Sequence, residues 1–456
     1  MENTYHSDIY KFNTPTNSYW EDTSTINLGL KKVTKDLNSE VVVIGGGYTG
    51  LSCAINLIDN YNLDVILVDA GKIGWGASSR NGGFCSFPPS KLPIPTMVKI
   101  FGKEETKAFF KNSIEGSEYT KRIISEYNID CDISGDLIYE VAHHPDKFKL
   151  LRERENVYKN EFNLETQIYS QKEFENIGHG GTEQFGAFSY KPGFAINPLK
   201  FVNGMAEYAL KKKLKMFEYS HVNKIEKEFD SYILRTTEGS IKTKKIVVAT
   251  NGFYQEGLIP QMNSRILPVI SNIIVTQKLS NKEIDLHNFK TFCPIVNTKN
   301  LLNYYRKLPD NRILFGARGD LIGSDKSNEQ MSKKMEIHFK KIFPNWSDIS
   351  IDYSWRGLIA LSQKLAPSIG KIDNEEIYYS FGYNGVGVSA APWSGKQLSK
   401  LVFSSNSKEP EISKVYIGLP KKFIFPKLRI FYFRLAVLFY LIKDKTKHDV
   451  LDLQKN

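Results

Sequence analysis

The sequence has little cysteine, and its thiols are scattered. Among 456 residues only Cys53, Cys85, Cys131 and Cys293 occur, with no C-x-x-C pair and no cluster at metal-ligand spacing. This excludes a disulfide-rich secreted scaffold and gives no reason to expect a metal site. Scattered thiols are typical of a reduced compartment, and the polar N-terminus has no signal-peptide pattern, so we expect a cytoplasmic protein.

Long hydrophobic runs are also missing. The most apolar stretch, residues 428–442, has 15 residues and is interrupted by Arg429 and Arg434, so it is too short and too polar to span a bilayer. We expect a helix that packs on the body of the protein. Peripheral membrane contact through this basic, aromatic tail, helped by Lys421 and Lys422, is the alternative.

The charge is not of one sign. Lys and Arg total 61 against 50 Asp and Glu, and the net charge of +11 is spread along the chain. Proteins that bind nucleic acid concentrate their basic residues, so we expect no nucleic-acid partner. A hydrophobic fraction of 41% and a length beyond one ordinary core predict a globular chain with two domains, or with one large domain that carries insertions.

What the sequence does contain is a βαβ unit near its start. Residues 40–44 are typical of a buried strand, residues 49–60 of an amphipathic helix, and residues 64–69 of a second strand. The loop between the first strand and the helix fits the dinucleotide pattern G-x-G-x-x-G with Gly45, Gly47 and Gly50.

Each residue of this unit has a physical role in holding a nucleotide. Gly45 permits the tight turn, Gly47 lets the backbone approach a pyrophosphate, and Gly50 lets the helix pack close to the strand. The pyrophosphate would lie at the helix N-terminus, where free N–H groups and the helix dipole favour an anion. Asp69, at the end of the second strand, suits a ribose diol.

The βαβ unit alone fits NAD as well as FAD, and three later features favour FAD. The loop 74–83 is rich in small residues and follows directly on the second strand, so it can lie along an extended ligand. Residues 246–249 predict a strand that ends in a second small-residue turn. The late turn with Gly385 and Gly387 can present backbone N–H groups to a flavin carbonyl just before a helix.

The remaining pattern predicts a mixed α/β fold, with a Rossmann-like FAD-binding domain interleaved with an antiparallel-sheet substrate domain. Strands at 268–277, 301–306 and 312–318 indicate the second sheet, and a helix is expected at 394–403. The expected divisions are an N-terminal extension (1–37), FAD-binding parts (38–87, 191–255 and 355–408), substrate-domain parts (88–190 and 256–354) and a C-terminal tail (409–456).

At the level of motifs the chain resembles the FAD-dependent amine oxidases of the D-amino acid oxidase superfamily, in particular the gamma-glutamylputrescine oxidoreductase-like branch. The resemblance runs over most of the chain. It rests on an aromatic motif (residues 18–20), the glycine loop (43–52), the Arg-Asn-Gly-Gly loop (76–83), two strand motifs (303–306 and 313–316) and the late glycine turn (382–388).

What the resemblance implies for the cofactor is a site for FAD assembled from these motifs. The expected cofactor-binding residues are Gly45, Gly47, Tyr48, Thr49, Gly50, Asp69, Ala70, Gly76, Ala77, Ser78, Ser79, Arg80, Asn81, Gly82, Gly83, Val222, Ala249, Thr250, Gly252, Gly382, Asn384, Gly385, Val386, Gly387 and Val388. Some relatives attach flavin through a His near Arg80 or a Cys near residues 354–357; this chain has neither, so we expect non-covalent FAD.

What the resemblance implies for the chemistry is oxidation of an amine C–N bond by hydride transfer to the flavin, giving an imine that hydrolyses to a carbonyl product. A gamma-glutamylputrescine-like amine is the first candidate; a D-amino acid, glycine or sarcosine-type substrate and a non-catalytic flavin protein are the alternatives. Val386 and Ser368 depart from the family pattern and leave the amine open. The expected substrate residues are Tyr305, Arg306, Arg318, Trp355 and Tyr383, since aromatic walls hold amines and an Arg can hold a carboxylate.

The electron acceptor is O₂ or another molecule. Sarcosine-oxidase-like relatives place a Lys near the flavin to assist O₂, and the corresponding strand position here is Ile313. This favours a dehydrogenase that passes electrons elsewhere.

Overall fold

The computed structural model describes residues 4–24, 27–404 and 411–444. The strands are β1 (Leu37–Ile44), β2 (Val65–Val68), β3 (Phe84–Cys85), β4 (Ile138–Val141), β5 (Thr166–Tyr169), β6 (Ala187–Tyr190), β7 (Phe194–Ala195), β8 (Lys215–Phe217), β9 (Lys224–Glu228), β10 (Ser231–Arg235), β11 (Ser240–Val248), β12 (Leu267–Thr276), β13 (Ile295–Asn297), β14 (Tyr304–Lys307), β15 (Ile313–Arg318), β16 (Ile351–Leu361), β17 (Ser368–Lys371) and β18 (Ile377–Phe381).

Helices fill most of the connections between these strands. They are α1 (Tyr19–Asp22), α2 (Tyr48–Tyr61), α3 (Ala77–Arg80), α4 (Ile94–Phe101), α5 (Lys103–Glu126), α6 (Pro145–Phe162), α7 (Gln171–Ile177), α8 (Pro198–Lys211), α9 (Asn281–Asp285), α10 (Asp325–Ile342), α11 (Gly387–Ser404) and α12 (Arg429–Lys443). No helix in the described ranges has the length and apolarity needed to cross a membrane.

The first sheet is built around the predicted βαβ unit. Its strands follow the order β17-β18-β11-β1-β2-β8, with the β9–β10 hairpin paired to β11. From β18 to β8 the neighbours are parallel, and Val43 of β1 lies between Val247 and Leu67. Strands buried on both faces need continuous apolar runs, and residues 41–44 and 65–68 supply them.

The second sheet is almost entirely antiparallel. Its order is β16-β12-β15-β14-β13-β4-β6-β5, and only β13 and β4 run parallel. The chain alternates between the two sheets along its length, which confirms the interleaved mixed α/β fold. Strand β16 belongs entirely to the second sheet, so the expected division at 354/355 falls inside a strand, and the next strand of the first sheet begins only at Ser368.

Two predicted elements are longer in the structure. The strand expected at 246–249 is the end of β11, which begins at Ser240. The helix expected at 394–403 begins at Gly387 and contains Pro392. A proline inside a helix leaves the carbonyl four residues earlier without its N–H partner. Here the Thr120 hydroxyl donates to that carbonyl, Val388 O, at 3.1 Å, so α11 continues through the proline.

The C-terminal tail forms the expected helix on the body of the protein. Helix α12 is fixed at both ends: Arg429 pairs with Glu256 at 2.5 Å, and Asp444 accepts from the backbone N–H of Asn300 and Leu301 at 2.9 Å each. Residues 445–456, the end of the predicted tail, lie outside the described part of the chain.

Candidate functional site

A cavity of about 1090 Å³ lies between the two sheets and is lined from both. From the first sheet come the ends of β1 and β2, together with the turns that follow them. From the second come Ser271 of β12, Tyr304 of β14 and Arg318 of β15. Its volume exceeds that of an ordinary small-ligand pocket, which indicates room for an extended ligand and a second, smaller one.

The glycine loop brings backbone segments into direct contact at one end of the cavity. Gly45 has φ +110°, and a Cβ there would lie 2.7 Å from the Ala249 carbonyl oxygen. A Cβ on Gly50 would overlap the Gly45 carbonyl oxygen. Side chains at these positions would therefore push α2 away from β1 and β11, which explains why the pattern needs glycine.

The N-terminus of α2 opens into this end of the cavity. Its N-cap is Gly47, with no side-chain cap, and the Tyr48 N–H donates to Ser78 Oγ at 3.0 Å. The first N–H groups of a helix lack partners within the helix, and the helix dipole adds partial positive charge. This is the arrangement that holds a phosphate group.

Asp69 fixes the glycine loop to β2. Its Oδ2 accepts from the Gly46 N–H at 2.7 Å, and its Oδ1 accepts from the Gly71 N–H at 2.8 Å. Burial raises the pKa of Asp69 to about 6, against the lowering effect of these two N–H donors. The carboxyl group also lines the cavity, where each oxygen keeps a further lone pair for a ligand hydroxyl.

The Arg-Asn-Gly-Gly loop is tied together by its own side chains. The Arg80 guanidinium stacks 3.9 Å from the Trp75 ring, and its Nε donates to the Trp75 carbonyl at 2.8 Å. Asn81 Nδ2 donates to the Ala77 carbonyl at 3.0 Å, while Asn81 Oδ1 accepts from the Gly83 N–H at 2.7 Å. These contacts fix the conformation of the loop, which forms one wall of the cavity.

A second helix N-terminus meets the cavity beside the first. Helix α11 follows the late glycine turn, and a Cβ on its Gly395 would overlap the Thr49 carbonyl oxygen, so α11 and α2 pack backbone to backbone. The Tyr383 hydroxyl joins the two helix starts through Thr49 Oγ1 at 2.6 Å and also bonds Ser380 Oγ at 2.9 Å. The N-termini of two helices therefore meet at one end of the cavity.

Most residues expected to bind the cofactor line this cavity. The exceptions are Gly50, Ser79, Gly83 and Gly382, which lie behind its wall. Those that line it are Gly45, Gly47, Tyr48, Thr49, Asp69, Ala70, Gly76, Ala77, Ser78, Arg80, Asn81, Gly82, Val222, Ala249, Thr250, Gly252, Asn384, Gly385, Val386, Gly387 and Val388.

Two buried polar atoms at the wall support a dinucleotide ligand. Thr250 Oγ1 and Asn384 Oδ1 have no hydrogen-bond partner within the described ranges. Buried polar groups are nearly always paired, so an unpaired atom at a cavity wall calls for a ligand or water. Together with the glycine cradle, the two helix N-termini and Asp69, they fit the phosphates, ribose and flavin carbonyls of FAD.

Arg318 lines the cavity next to the late glycine turn. Its guanidinium occupies the space beside Gly385, where a Cβ would lie 2.9 Å from Nη2. Burial lowers the pKa of Arg318, while the neighbouring Tyr304 opposes that shift. No acidic side chain pairs with Arg318 among residues 4–24, 27–404 and 411–444. A half-buried Arg without an acidic partner in those ranges is suited to an anionic ligand.

Lys91 adds a second positive group to this region. Its side chain lines the cavity and is exposed there. Burial, and after it the charge of Arg318, lowers the pKa of Lys91 to about 7. Nearby, Glu140 and Arg154 form an ion pair with each other and so contribute little net charge. This part of the cavity is therefore positively charged at and below neutral pH.

Of the five expected substrate residues, Arg318 and Tyr383 line the cavity and three do not. Tyr305 points to the opposite face of β14, where its hydroxyl bonds His179 Nε2 at 3.0 Å. Arg306 donates to the Ile196 carbonyl at 2.6 Å. Trp355 donates to the Arg80 carbonyl at 3.0 Å, so it supports the loop from behind.

Sequence reasoning missed Tyr304, Ser271 and Lys91. Side chains alternate along a strand, so Tyr304 and Tyr305 must face opposite ways, and only the neighbouring sheet decides which one meets the cavity. Gly316 opposite Tyr304 was a usable signal, because a Cβ there would overlap the Tyr304 ring. The Tyr304 hydroxyl bonds Ser271 Oγ at 3.0 Å. No motif in the sequence around Lys91 indicates that this residue lines the cavity.

The position used to infer the electron acceptor also lies elsewhere. Ile313 is fully buried in an apolar cluster with Phe315 and Phe339 and does not line the cavity. Its identity therefore carries no information on whether a Lys assists O₂, and the preference for a dehydrogenase loses its basis.

Comparison with known proteins gives consistent matches. A family model described as FAD dependent oxidoreductase (DAO) matches residues 40–401. The chain is 26% identical over 440 residues to gamma-glutamylputrescine oxidoreductase of Escherichia coli (strain K12), covering 94% of this chain and 98% of that protein.

Solved structures share the fold at lower identity. Glycine oxidase from Geobacillus kaustophilus superposes with a TM-score of 0.68 at 15% identity, covering 84% of this chain and 99% of that one. L-proline dehydrogenase from P. horikoshii gives 0.66 at 21%, covering 82% and 96%.

Proposed function

The chain belongs to the DAO family of FAD-dependent oxidoreductases, and from this membership we propose that it oxidises the C–N bond of an amine that also carries a carboxylate. Gamma-glutamylputrescine or a close analogue is the proposed substrate, following the full-length similarity to the Escherichia coli enzyme. The observation that carries the proposal is Arg318, a half-buried cavity-lining guanidinium with no counter-ion in the described part of the chain, beside the Gly385 turn at the cofactor end of the cavity.

The residues at the glycine loop, the Arg-Asn-Gly-Gly loop and the late turn would hold FAD. When bound, FAD supplies a two-electron acceptor for a hydride equivalent from the carbon that bears the amine. The amine nitrogen lone pair then forms the C=N bond of an iminium, water adds to it, and the product separates into a carbonyl compound and an amine or ammonia.

The chain's own groups orient the substrate for this step. Arg318, with Lys91, would hold the carboxylate by charge-assisted hydrogen bonds. The Tyr304 ring and its Ser271-bonded hydroxyl would form the neighbouring wall and limit water. No protein base is required when the amine binds in its neutral form.

An anaerobic flavin-bleaching screen tests the proposal. Purified holoprotein is mixed with gamma-glutamylputrescine, with putrescine, which lacks the whole gamma-glutamyl group and with it the carboxylate, and with sarcosine, glycine and D-amino acids. We expect the first to bleach the flavin much faster than putrescine. Equal rates would reject the carboxylate site, bleaching by α-amino acids alone would favour the alternative substrates, and no bleaching by any amine would reject amine oxidation.

The same bleached samples can be used to identify the type of electron acceptor. Re-oxidation of the bleached enzyme by O₂, compared with re-oxidation by an artificial acceptor, separates an oxidase from a dehydrogenase.

We propose that FAD is bound non-covalently. Arg80 occupies the expected attachment position and is engaged with Trp75, and residues 354–357 include no cysteine. Acid precipitation of the holoprotein is expected to release the flavin into the supernatant. A yellow pellet after washing in denaturant would contradict this.

The pH profile should carry the signature of Lys91. Because its pKa is lowered to about 7, Lys91 is charged below this pH and neutral above it. For the carboxylated amine, wild-type kcat/KM should exceed that of Lys91→Gln by about tenfold at low pH, and the ratio should approach one as pH rises through about 7. The substrate amine titrates in the same way with both enzymes, so its protonation cancels in the ratio of wild-type to variant kcat/KM.

Lys364 provides a matched control for this experiment. Burial lowers its pKa to about 7 as well, but it donates to the Ile417 carbonyl at 2.9 Å and does not line the cavity. Lys364→Gln should leave the profile unchanged. A pH-independent ratio for Lys91→Gln would remove Lys91 from the substrate site.

A further inference from the structure

Helix α12 has two apolar faces, and only one of them is covered. The inner face lines the cavity with Phe433, Ala436, Val437 and Tyr440. The outer face consists of Phe431, Leu435, Leu438 and Phe439, which are between 49% and 60% exposed. At 3.6 residues per turn these two sets lie on opposite sides of the helix. Helix α12 is therefore a wall one helix thick between the cavity and the surroundings.

The segment before the helix extends the outer face. Ile424 and Phe425 are 72% and 66% exposed, and Leu428 is also exposed. A helix that is apolar all round is normally buried, and a contiguous exposed apolar patch marks a binding surface. The outer face and residues 424–428 together form what we call the docking patch.

The sequence segment that carries the docking patch is basic. Between residues 412 and 443 the sequence has seven Lys and Arg and no Asp or Glu. Lys421, Lys422 and Arg434 are exposed, and the Arg434 guanidinium donates to the Leu321 carbonyl at 2.9 Å, which anchors it at the edge of the patch. A partner that complements this surface therefore has an anionic outer layer and an apolar interior.

We propose that the docking patch binds the surface of an anionic lipid bilayer. Phenylalanine and leucine on the membrane side, with lysine and arginine beside them, are typical of helices that lie in the interface. A second copy of the chain would fit poorly, because a two-fold interface would place the basic patch against itself. The helix lies in the plane of the membrane and does not cross it, in keeping with its 15 residues.

Docking in this orientation has a geometric consequence for the cavity. The contacts of Arg429 with Glu256, and of Asp444 with the Asn300–Leu301 backbone, fix α12 to the rest of the protein. When its outer face rests on lipid, its inner face still lines the cavity. The cavity is then separated from the bilayer surface by a single helix.

Flotation of the full-length holoprotein with vesicles tests the proposal. Wild-type protein should float with vesicles of phosphatidylcholine and phosphatidylglycerol, at least ~10-fold more than with phosphatidylcholine alone, and salt should weaken the binding. The triple variant Phe431→Ser, Leu435→Ser, Phe439→Ser should lose at least ~10-fold of the bound fraction. The pair Lys421→Gln, Lys422→Gln should lose binding while keeping the apolar face.

Matched controls change the same number of exposed apolar or basic side chains outside the docking patch. One combines Phe229→Ser, Leu286→Ser and Ile337→Ser, and the other combines Lys333→Gln and Lys334→Gln; all five side chains are exposed. Both controls should bind like wild type. Flavin absorbance per protein, equal to wild type, shows that each variant is folded.

Three outcomes would overturn the proposal. They are absence of wild-type binding to the phosphatidylglycerol vesicles, equal binding to both kinds of vesicle, and wild-type binding by the triple variant. Analytical sedimentation without lipid tests the alternative partner. If the wild-type protein forms a dimer that the triple variant does not form, and does not bind vesicles, the docking patch is an interface with a second copy of the chain. None of these results depends on the substrate, so amine oxidation is tested separately.

Discussion

Gly50→Ala should yield a protein that does not retain FAD through purification. The added Cβ would overlap the Gly45 carbonyl oxygen, and the Gly45 turn cannot give way because it packs against the Ala249 carbonyl at the end of β11. Relief requires α2 to move, which shifts the N–H groups expected to hold the pyrophosphate. A cost of about 3 kcal/mol or more is reasonable for such overpacking, or at least ~100-fold in flavin affinity.

The measurement is the flavin-to-protein ratio after gel filtration, followed by calorimetric titration of the apoprotein with FAD. Gly29→Asn is the control, because a Cβ there meets nothing within 4 Å and Asn tolerates its φ of +61°. A thermal melt of both apoproteins separates loss of flavin affinity from loss of fold. Wild-type affinity in a folded Gly50→Ala protein would refute the assignment of the glycine loop.

Arg318→Met should lower kcat/KM for the carboxylated amine by roughly 30- to 1000-fold. Removing one partner of a buried charge-assisted interaction costs about 2–4 kcal/mol. The loss should be confined to substrates with a carboxylate, so the slow bleaching by putrescine should change little. Arg318→Lys should recover part of the rate, because lysine keeps the positive charge but lacks the planar guanidinium that can donate two parallel hydrogen bonds to a carboxylate.

Arg312 offers a matched control just before the same strand. It pairs with Asp310 at 3.1 Å and with Asp352 at 2.5 Å, away from the cavity. Arg312→Met should leave both substrates unaffected. Equal losses for gamma-glutamylputrescine and putrescine in Arg318→Met would show that Arg318 shapes the cavity without binding a carboxylate.

The part of the site that is local in sequence was the part that could be predicted. The βαβ unit, its glycines and Asp69 lie within 30 residues of one another, so spacing alone places them together. The substrate end is different. Arg318, Tyr304 and Lys91 come from segments far apart in the chain, and only their packing decides which side chains face the cavity.

Two errors have simple physical causes. Tyr305 was expected in the substrate site and Tyr304 was not, because the sequence of β14 alone does not show which face of the strand meets the cavity, and the signal from Gly316 on the next strand was not used. The helix expected at 394–403 begins at Gly387 instead, although Pro392 would normally interrupt a helix at that point. The hydroxyl of Thr120, on a helix more than 250 residues earlier, supplies the missing hydrogen bond and cannot be recognised from the local sequence.

The interleaving of the two sheets also sets an order for folding during synthesis. Strand β1 pairs with β11, and β11 pairs with β18, so the nucleotide-binding sheet is incomplete until residue 381 has emerged from the ribosome. At ordinary translation rates this takes roughly 20 to 80 seconds. Until residue 248 has emerged, the edge of β1 that pairs with β11 has no partner strand, and until residue 381 has emerged the same is true of the β11 edge that pairs with β18. These unpaired edges make the nascent chain a natural client for chaperones and make early truncation products prone to aggregate.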